Sequence, residues 1–436
     1  MFAAGLVHRC SHRFLHSVGS SGSAWLSRGC CRAPPLDPVL ICGVLLLPMA
    51  AAACIGLLIL QLGLQQVFAV APKLQTPPDA ALPSTSLSVV IPAYNEAANI
   101  GACLAAVLSS ESPCSSWEVL VVDDDSSDAT TELALRTADE QGASAAEVHL
   151  VQAGPRPDGE RWVGKNWACT RAMEQVSSSW VLFIDADVRL KPDALRRALA
   201  QAIDEEADLF SLAPRLVCGC LAEWMVQPIM ASLLGLGFPI VAANDPASSV
   251  AFAAGPFMLF RRRTYDAIGG HRALAAEVVE DLALARRIKA EGYRLRYLLG
   301  VDAVDLRMYA DLASLWEGWT KNWFLGLDRD PLRALGAAAV VALMFSTPWL
   351  LAPAAVVLRL VLPEQAGLWS ALLALALLAI VQQLVLRLWN RHRFAVPLTH
   401  WWLMGAGGLL VGAIGPVSVW RTLTGRGWTW KGRQLA

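Results

Sequence analysis

The stretch Val181-Leu182-Phe183-Ile184-Asp185-Ala186-Asp187 decides the reading of this chain. An apolar run of strand length, opened by Trp180, ends in two acids separated by a single residue. Along a strand, residues i and i+2 point to the same face, so the carboxylates of Asp185 and Asp187 converge on one point. Two such groups offer oxygen ligands only, which suits Mg2+ or Mn2+. By itself an acid-x-acid triplet is common on protein surfaces. What precedes it gives it weight.

Upstream, Leu87 to Pro92, Trp117 to Val122 and Val148 to Val151 are further apolar runs, suited to strands buried on both faces. Ala97 to Leu108, Asp128 to Gln141 and Lys165 to Glu174 have helical length and period. The alternation predicts an α/β domain with a largely parallel, Rossmann-like mixed sheet flanked by helices. Ligands of such sheets bind outside the carboxyl ends of the strands. There the first strand runs into Pro92-Ala93-Tyr94-Asn95-Glu96 and the second into Asp123-Asp124-Asp125-Ser126-Ser127-Asp128. Acids at that edge accept hydrogen bonds from a uracil-like ring NH or from ribose hydroxyls, which makes Pro92, Ala93, Tyr94, Glu96, Asp123 and Asp124 candidate nucleotide-sugar contacts. Helix capping competes for Asn95 and for the Asp/Ser cluster, Asp128 above all. Mutual repulsion among the four acids between Asp123 and Asp128 argues against a purely structural purpose for the whole cluster.

Farther along, Glu280-Asp281 follows Gly269-Gly270-His271 and opens a helix over Leu282 to Glu291. If the ligand at the sheet edge is a nucleotide-sugar, an inverting transfer needs a general base for the acceptor hydroxyl, and Asp281, with Glu280 beside it, is the candidate. Favouring the positive end of the helix is the competing role for both acids.

Composition sets the surroundings. The 436 residues are 55% hydrophobic and 17% charged, with a mean hydropathy of +0.44, more apolar than ordinary soluble proteins, in which about 25% of residues are charged. The 36 basic and 37 acidic residues nearly cancel, so no global basic field points to nucleic acid. Val39 to Leu64, Leu335 to Leu362 and Leu368 to Leu388 are membrane-helix candidates, and glycine-rich Trp401 to Trp420 is either a further span or a re-entrant segment. The chain therefore divides into a basic leader (1–38), a span (39–64), a linker (65–86), a catalytic domain (87–330), a membrane region (331–420) and a basic tail (421–436). The leader carries Arg9, Arg13, Arg28 and Arg32 and reads as a targeting segment or a mis-started one. Ten scattered cysteines lack zinc-type spacing and read as reduced, mostly buried thiols.

Pro92-Ala93-Tyr94-Asn95-Glu96, Val121-Val122-Asp123-Asp124, Asp185-Ala186-Asp187 and Glu280-Asp281 occur in the order and spacing of family 2 glycosyltransferases with a GT-A fold. The resemblance covers residues 87 to 325 or so. It implies inverting transfer from a UDP- or GDP-sugar, with Ala93, Glu96 and Asp124 at the nucleotide, a divalent metal at Asp187 and the base at Asp281. Gly164-Lys165-Asn166-Trp167-Ala168, Gly255-Pro256-Phe257-Met258-Leu259-Phe260-Arg261-Arg262 and Thr429-Trp430-Lys431-Gly432-Arg433 resemble the branch that holds carotenoid and hopanoid-associated glycosyltransferases. In that comparison Lys165 contacts the donor phosphates or sugar, against the plainer role of a solvated lysine at a helix start. Processive synthases of the superfamily carry Q-x-x-R-W, whereas Leu315 to Trp323 keeps tryptophans without the Gln and Arg. Single-sugar transfer is favoured, and those tryptophans alternatively anchor an interfacial helix.

The acceptor expected is lipid-like, because apolar Leu221 to Ala243 lies between the metal pair and the base and suits either core or an amphipathic ramp for a membrane-dissolved hydroxyl. A hydroxylated carotenoid or other isoprenoid is the leading acceptor, with ceramide or diacylglycerol as the nearest rival and a non-catalytic nucleotide-sugar-binding scaffold as the alternative from another class. Cytosolic donors require the catalytic domain to face the cytoplasm, which suits Arg387, Arg391 and Arg393 and the basic tail. The arginines of the leader pull the other way unless the leader is removed or absent.

Overall fold

The computed structural model describes residues 38–75, 82–142, 146–394, 396–427 and 429–434. The leader expected over 1–38 falls outside these, Pro38 apart, as do residues 76–81 of the expected linker.

A long apolar helix, α1 (Pro38–Ala69), leads into the α/β domain. The chain then alternates through β1 (Ser86–Ala93), α2 (Ile100–Leu108), β2 (Ser116–Asp123), α3 (Thr130–Gln141), β3 (Glu147–Gln152), α4 (Gly164–Met173) and β4 (Trp180–Ile184). After these come β5 (Val188–Leu190), α5 (Ala194–Asp204), β6 (Leu209–Ala213), β7 (Arg215–Leu216), α6 (Leu221–Gly237) and α7 (Ile240–Asn244). The domain closes with β8 (Phe257–Arg261), α8 (Arg262–Ala267), α9 (Glu280–Ala290), β9 (Leu295–Leu299), β10 (Val304–Leu306) and α10 (Leu312–Gly326).

The central sheet has seven strands in the order β3-β2-β1-β4-β8-β6-β9. Its first four strands are parallel, as the sequence predicts. β8 runs antiparallel to both β4 and β6 and makes the largely parallel sheet mixed, as expected. The preceding excursion through α6 and α7 brings the chain back to the edge where β6 ends. Side-chain alternation explains why the strands read as continuous apolar runs. Val89, Ile91, Leu182 and Ile184 pack with α2 and α5 on one face, while Val90, Val181 and Phe183 pack with α4 and α9 on the other.

Beyond α10 follow α11 (Pro331–Val341), α12 (Thr347–Val361), α13 (Ala366–Phe394) and α14 (Met404–Leu423), then the short hairpin β11 (Thr429–Trp430) and β12 (Arg433–Gln434). Among the described residues, four helical stretches are long and apolar enough to cross a membrane: Gly43–Ala69, Pro331–Val361, Pro363–Phe394 and Trp401–Leu423. The fourth has a special path. It starts just after α13, whose Arg393 donates to the Phe68 carbonyl at 3.0 Å, and near its end Ser418 donates to the Thr320 carbonyl of α10 at 2.6 Å. Its start thus follows the end of α13 that is tied to α1, and its end is tied to α10.

Packing corrects two details of the sequence reading. Trp319 and Trp323 are buried, donating to Gln227 Oε1 (2.8 Å) and the Ala334 carbonyl (3.1 Å), so they do not anchor a helix at a membrane surface. Arg387 is fully buried and donates to the carbonyls of Pro397 and Thr399, holding a loop together instead of lying at the interface. Leu221 to Ala243 is a joint between layers, with Val226, Ile229 and Met230 of α6 buried against residues of α1, α10, α11 and α14.

Between α11 and α12 a π-turn spans Ala342–Ser346, and Pro348 follows it. Proline has no N–H to offer the carbonyl four residues before it, here that of Met344. Fully buried Gln383 of α13 supplies the missing donor, reaching the Met344 and Phe345 carbonyls at 3.0 Å each, and its own carbonyl oxygen accepts from Trp349 Nε1 at 2.8 Å. Replacing Gln383 with Leu strands these partners where water is scarce, so thermal unfolding in detergent is expected to show a loss of about 1–3 kcal/mol. An unchanged melting temperature would show that the turn does not need the amide.

Candidate active site

Where β1, β2 and β4 end, a cavity of about 280 Å³ gathers Pro92, Ala93, Tyr94, Glu96, Asp124, Lys165, Asp185, Asp187, Glu280 and Asp281. These residues come from five segments, and the parallel strands align three of the segments at one edge. The loops after β1 and β2 are tied to each other. Asn95 (φ 50°) turns the chain and accepts from the Ser127 amide at 2.8 Å, while its own amide donates to Ser126 Oγ at 2.9 Å. Asp128 accepts from the amides of Ala97 and Thr130 at 3.0 Å each, so it holds the turn before α3 and ties that turn to the loop after β1. Asp123 is buried and accepts from the Ser126 amide at 3.3 Å, closing its own turn outside the cavity lining, unlike the other candidates.

Lys165, second residue of α4, stands at the centre. Its Nζ lies 2.6 Å from Asp185 Oδ1 and 2.7 Å from Glu280 Oε1, bridging the end of β4 to the start of α9. Burial alone would pull the ammonium's pKa down, but the two carboxylates raise it well above the ordinary lysine value. Burial would likewise raise Glu280, and Lys165 outweighs it, so that Glu280 titrates below the usual range. The plain role of a solvated lysine does not fit.

The rest of the quoted motif supports this bridge. Asn166, fully buried, donates through Nδ2 to the carbonyls of Leu274 (2.7 Å), Ala275 (3.3 Å) and Glu277 (2.9 Å), fixing the loop that leads into Glu280-Asp281. Trp167 Nε1 donates to the Gly154 carbonyl at 2.8 Å.

Asp281 is clasped by backbone amides, Oδ2 accepting from Gly255 at 3.1 Å and Oδ1 from Leu282 at 2.7 Å. A Cβ on Gly255 would come within 2.9 Å of Asp281 Oδ2, so only glycine lets the β8 approach fit this closely. Burial, then the charge of neighbouring Glu280, pushes the Asp281 carboxyl up to about 6. Asp187 is pushed well above the carboxylate range by burial and by the charges of Asp185 and Glu96, and its buried Oδ1 has no hydrogen-bond partner. Among the described residues no group of three or more His, Cys, Asp or Glu side chains is arranged to enclose a metal ion.

Several groups at or beside the cavity were not named as candidates from sequence. Arg156 donates to Asp124 Oδ2 at 2.7 Å, and Lys321 and Tyr309 line the wall opposite the sheet. Lys321 lies within Leu315 to Trp323, which the sequence marks for its tryptophans, and burial draws its pKa down while Glu280 holds it up. Behind β4, the buried Tyr265 hydroxyl and His271 Nδ1 lie 2.7 Å apart, and burial lowers the imidazole to about 3, a neutral core pair. The cysteines Cys54, Cys103, Cys114, Cys169, Cys218 and Cys220 are free thiols, as expected.

Residues 88–269 match the family model described as Glycosyl transferase family 2, and residues 180–414, more than half of the chain, match that of Glycosyl transferase family group 2. The chain belongs to the family 2 glycosyltransferases. The transferase is 28% identical over 244 residues to 4,4'-diaponeurosporenoate glycosyltransferase of Staphylococcus aureus (strain USA300), covering 55% of this chain and 61% of that one. It thus spans less than two thirds of the length of that curated relative. Among solved structures it is similar to a mannosyltransferase of Pyrobaculum calidifontis in complex with GDP-Man and Mn2+, at 18% identity and a TM-score of 0.46 over 86% of this chain and 98% of that one. It is also similar to TarS residues 1–349 of S. aureus in complex with UDP-GlcNAc, at 16% identity and a TM-score of 0.37 over 80% of this chain and 95% of that one.

Truncating Asn166 to Ala removes the amide shared by three carbonyls of the loop before Glu280. We expect a stability loss of about 1–3 kcal/mol and, measured below the melting transition, slower turnover of the transferase. Normal turnover in a destabilised variant would separate that loop from the site.

Proposed function

We propose that this transferase moves one sugar, with inversion, from a UDP- or GDP-sugar to a hydroxyl of a membrane lipid, a hydroxylated carotenoid or another isoprenoid. The observation that carries the reading is the meeting of Asp185, Asp187 and Asp281 in one cavity whose far wall, Met308, Tyr309 and Lys321, adjoins the layer packed on the membrane helices. The name of the staphylococcal relative supports a carotenoid-type acceptor.

Pro92, Ala93, Tyr94, Glu96 and Asp124 form the nucleoside side of the cavity in this reading, and Lys165 the phosphate side. Asp281 is the base. Its two backbone hydrogen bonds fix the carboxylate, and its raised pKa brings proton affinity close to neutral pH, where a general base works best. Glu280 adds to the rise that burial causes and holds Lys165. Asp187 and Asp185 fit a divalent cation: Asp187 has an orphaned buried oxygen and like charges crowding it, and the donor atoms are all oxygen. Mg2+ or Mn2+ there would neutralise the diphosphate leaving group. With two protein carboxylates, such an ion takes its remaining ligands from the donor and water. Nucleotide-sugars are cytosolic, so the catalytic domain faces the cytoplasm, with exposed Arg391 and His392 at the same end of α13.

Mass spectrometry of pigments and polar lipids from cells with and without the gene tests the reading, a glycosylated lipid being expected to vanish with it. An unchanged lipid profile, together with no donor turnover by the purified protein, would sink it. Asp281→Asn is expected to keep donor affinity while transfer falls about 100-fold or more. A proton on Asp281 blocks its role, so kcat/KM should climb with pH up to about 6 and then level off, and Asp281→Asn should lose this limb. Asp187→Ala should abolish the gain in donor affinity that Mn2+ gives the wild type in calorimetry; an equal gain in both proteins would remove Asp187 from the metal.

A further inference from the structure

The hairpin after α14 reaches the far side of the molecule's sequence. Lys431 Nζ lies 2.6 Å from Glu96 Oε1 and donates to the Asn95 carbonyl at 2.8 Å. Arg433 donates to the Asp124 carboxylate and, at 3.0 Å, to the Asp124 carbonyl, and its guanidinium lies 3.7 Å from the Tyr94 ring centroid. Trp430 meets the Lys321 ammonium at 4.7 Å. The turn itself is demanding. Lys431 (φ 48°) and Gly432 (φ 80°) are both left-handed between the paired Trp430 and Arg433, and a lysine held there costs of order 1 kcal/mol. A turn of this kind aims its flanking side chains precisely in one direction, here into the cavity, which Trp430 and Arg433 line.

The charge count at Asp124 is the decisive point. Its Oδ2 already accepts from Arg156 at 2.7 Å, so one carboxylate oxygen carries two guanidinium groups. One of them satisfies the acid. The second, Arg433, lines the same cavity as Lys165 and can leave Asp124 without stripping it of its counter-charge, so it is the guanidinium that a bound diphosphate can take over.

We propose that the hairpin completes the donor site: Arg433, with Lys431 beside it, waits on the carboxylates of Asp124 and Glu96 and transfers to the diphosphate of the incoming nucleotide-sugar. Donor entry then frees Asp124 and Glu96 for the nucleoside while the hairpin closes over the phosphates. This rests on the nucleotide-sugar reading above and adds to it two binding residues that lie more than 300 positions from the strand edge they serve.

The test compares a nucleoside diphosphate with its bare nucleoside, because only the former has the anion. Calorimetry with UDP, uridine, GDP and guanosine, each with Mn2+, is run on the full-length protein and on Arg433→Gln and Lys431→Gln. Arg433→Gln is expected to weaken the preferred diphosphate about 10-fold or more and leave its nucleoside unchanged or slightly tighter, with Arg433→Lys restoring part of the loss. Equal losses for both ligands would make the hairpin mere support for the nucleoside pocket, and tighter binding of both would make it a plug; either result overturns the proposal, as does no change. Trypsin gives a measurement without variants: the diphosphate, and not the nucleoside, should slow cleavage at Lys431 and Arg433. If the wild type binds neither diphosphate, the donor reading itself has failed and this inference goes with it.

Discussion

The site depends on one half-buried cation, Lys165. Glu96, Asp124, Asp185, Asp187, Glu280 and Asp281 all line a cavity of about 280 Å³, and such a crowd of carboxylates would not stay ionised without compensation. Lys165 answers two of them at once, at 2.6 and 2.7 Å. A surface ion pair contributes roughly 0–1 kcal/mol, whereas removing one partner of a buried pair costs about 3–5 kcal/mol because it leaves a charge without a counter-charge. Lys165 belongs nearer the second class, since Glu280 is almost wholly enclosed. The bridge also has a geometric effect. It locks the start of α9 to the end of β4, so the acid next to Glu280 sits at a fixed separation from the acid-x-acid pair.

That bridge explains which features were legible in the sequence. Strands β1 to β4 announce themselves because burial on both faces leaves only apolar residues between polar ends, and the ends fall where a parallel sheet concentrates its ligands. Asp124, Asp185, Asp187 and Asp281 each sit at such an end or at a helix start, so position alone marks them. Asp123 and Asp128 sit in the same cluster yet hold turns, and only the hydrogen-bond partners separate them from Asp124. β8 hides its direction because an antiparallel strand buried in the middle of a sheet has the same composition as a parallel one. Arg156 carries no local signal, since its partner is distant in sequence and a lone basic residue in a loop looks like a solvated one; Lys321 and Arg433 lie in stretches the sequence marks, yet nothing local points them at the strand edge.

The tryptophans of α10 show how burial overrides residue type. Tryptophan at a membrane boundary and tryptophan in a core share a composition, and the difference lies in whether the indole N–H finds a protein acceptor. Gln227 of α6 supplies it for Trp319, and Gln227 also meets the Met308 sulfur at 3.2 Å. One turn earlier on α6, fully buried Glu223 accepts from the Tyr309 amide at 3.2 Å. Met308 and Tyr309 line the cavity, so α6 holds that wall from behind while its apolar face packs among the membrane helices.

The two sides of the cavity therefore have different foundations. One is built on the sheet, whose strand ends are fixed by ladder hydrogen bonds along β1, β2 and β4. The other is built on α6 and α10, which pack against α1, α11 and α14. A displacement of α14 would shift α10 through the bonds of Ser418 to Thr320 and Phe324, and would shift the hairpin because the hairpin follows α14 directly. α14 thus joins the apolar helices to α10 and the hairpin through Ser418, Thr320 and Phe324, which lie outside the cavity lining. A soluble fragment cut before α11 would keep the strand edge and lose both the backing of α10 and the cations at Asp124 and Glu96, so its cavity would be a different one.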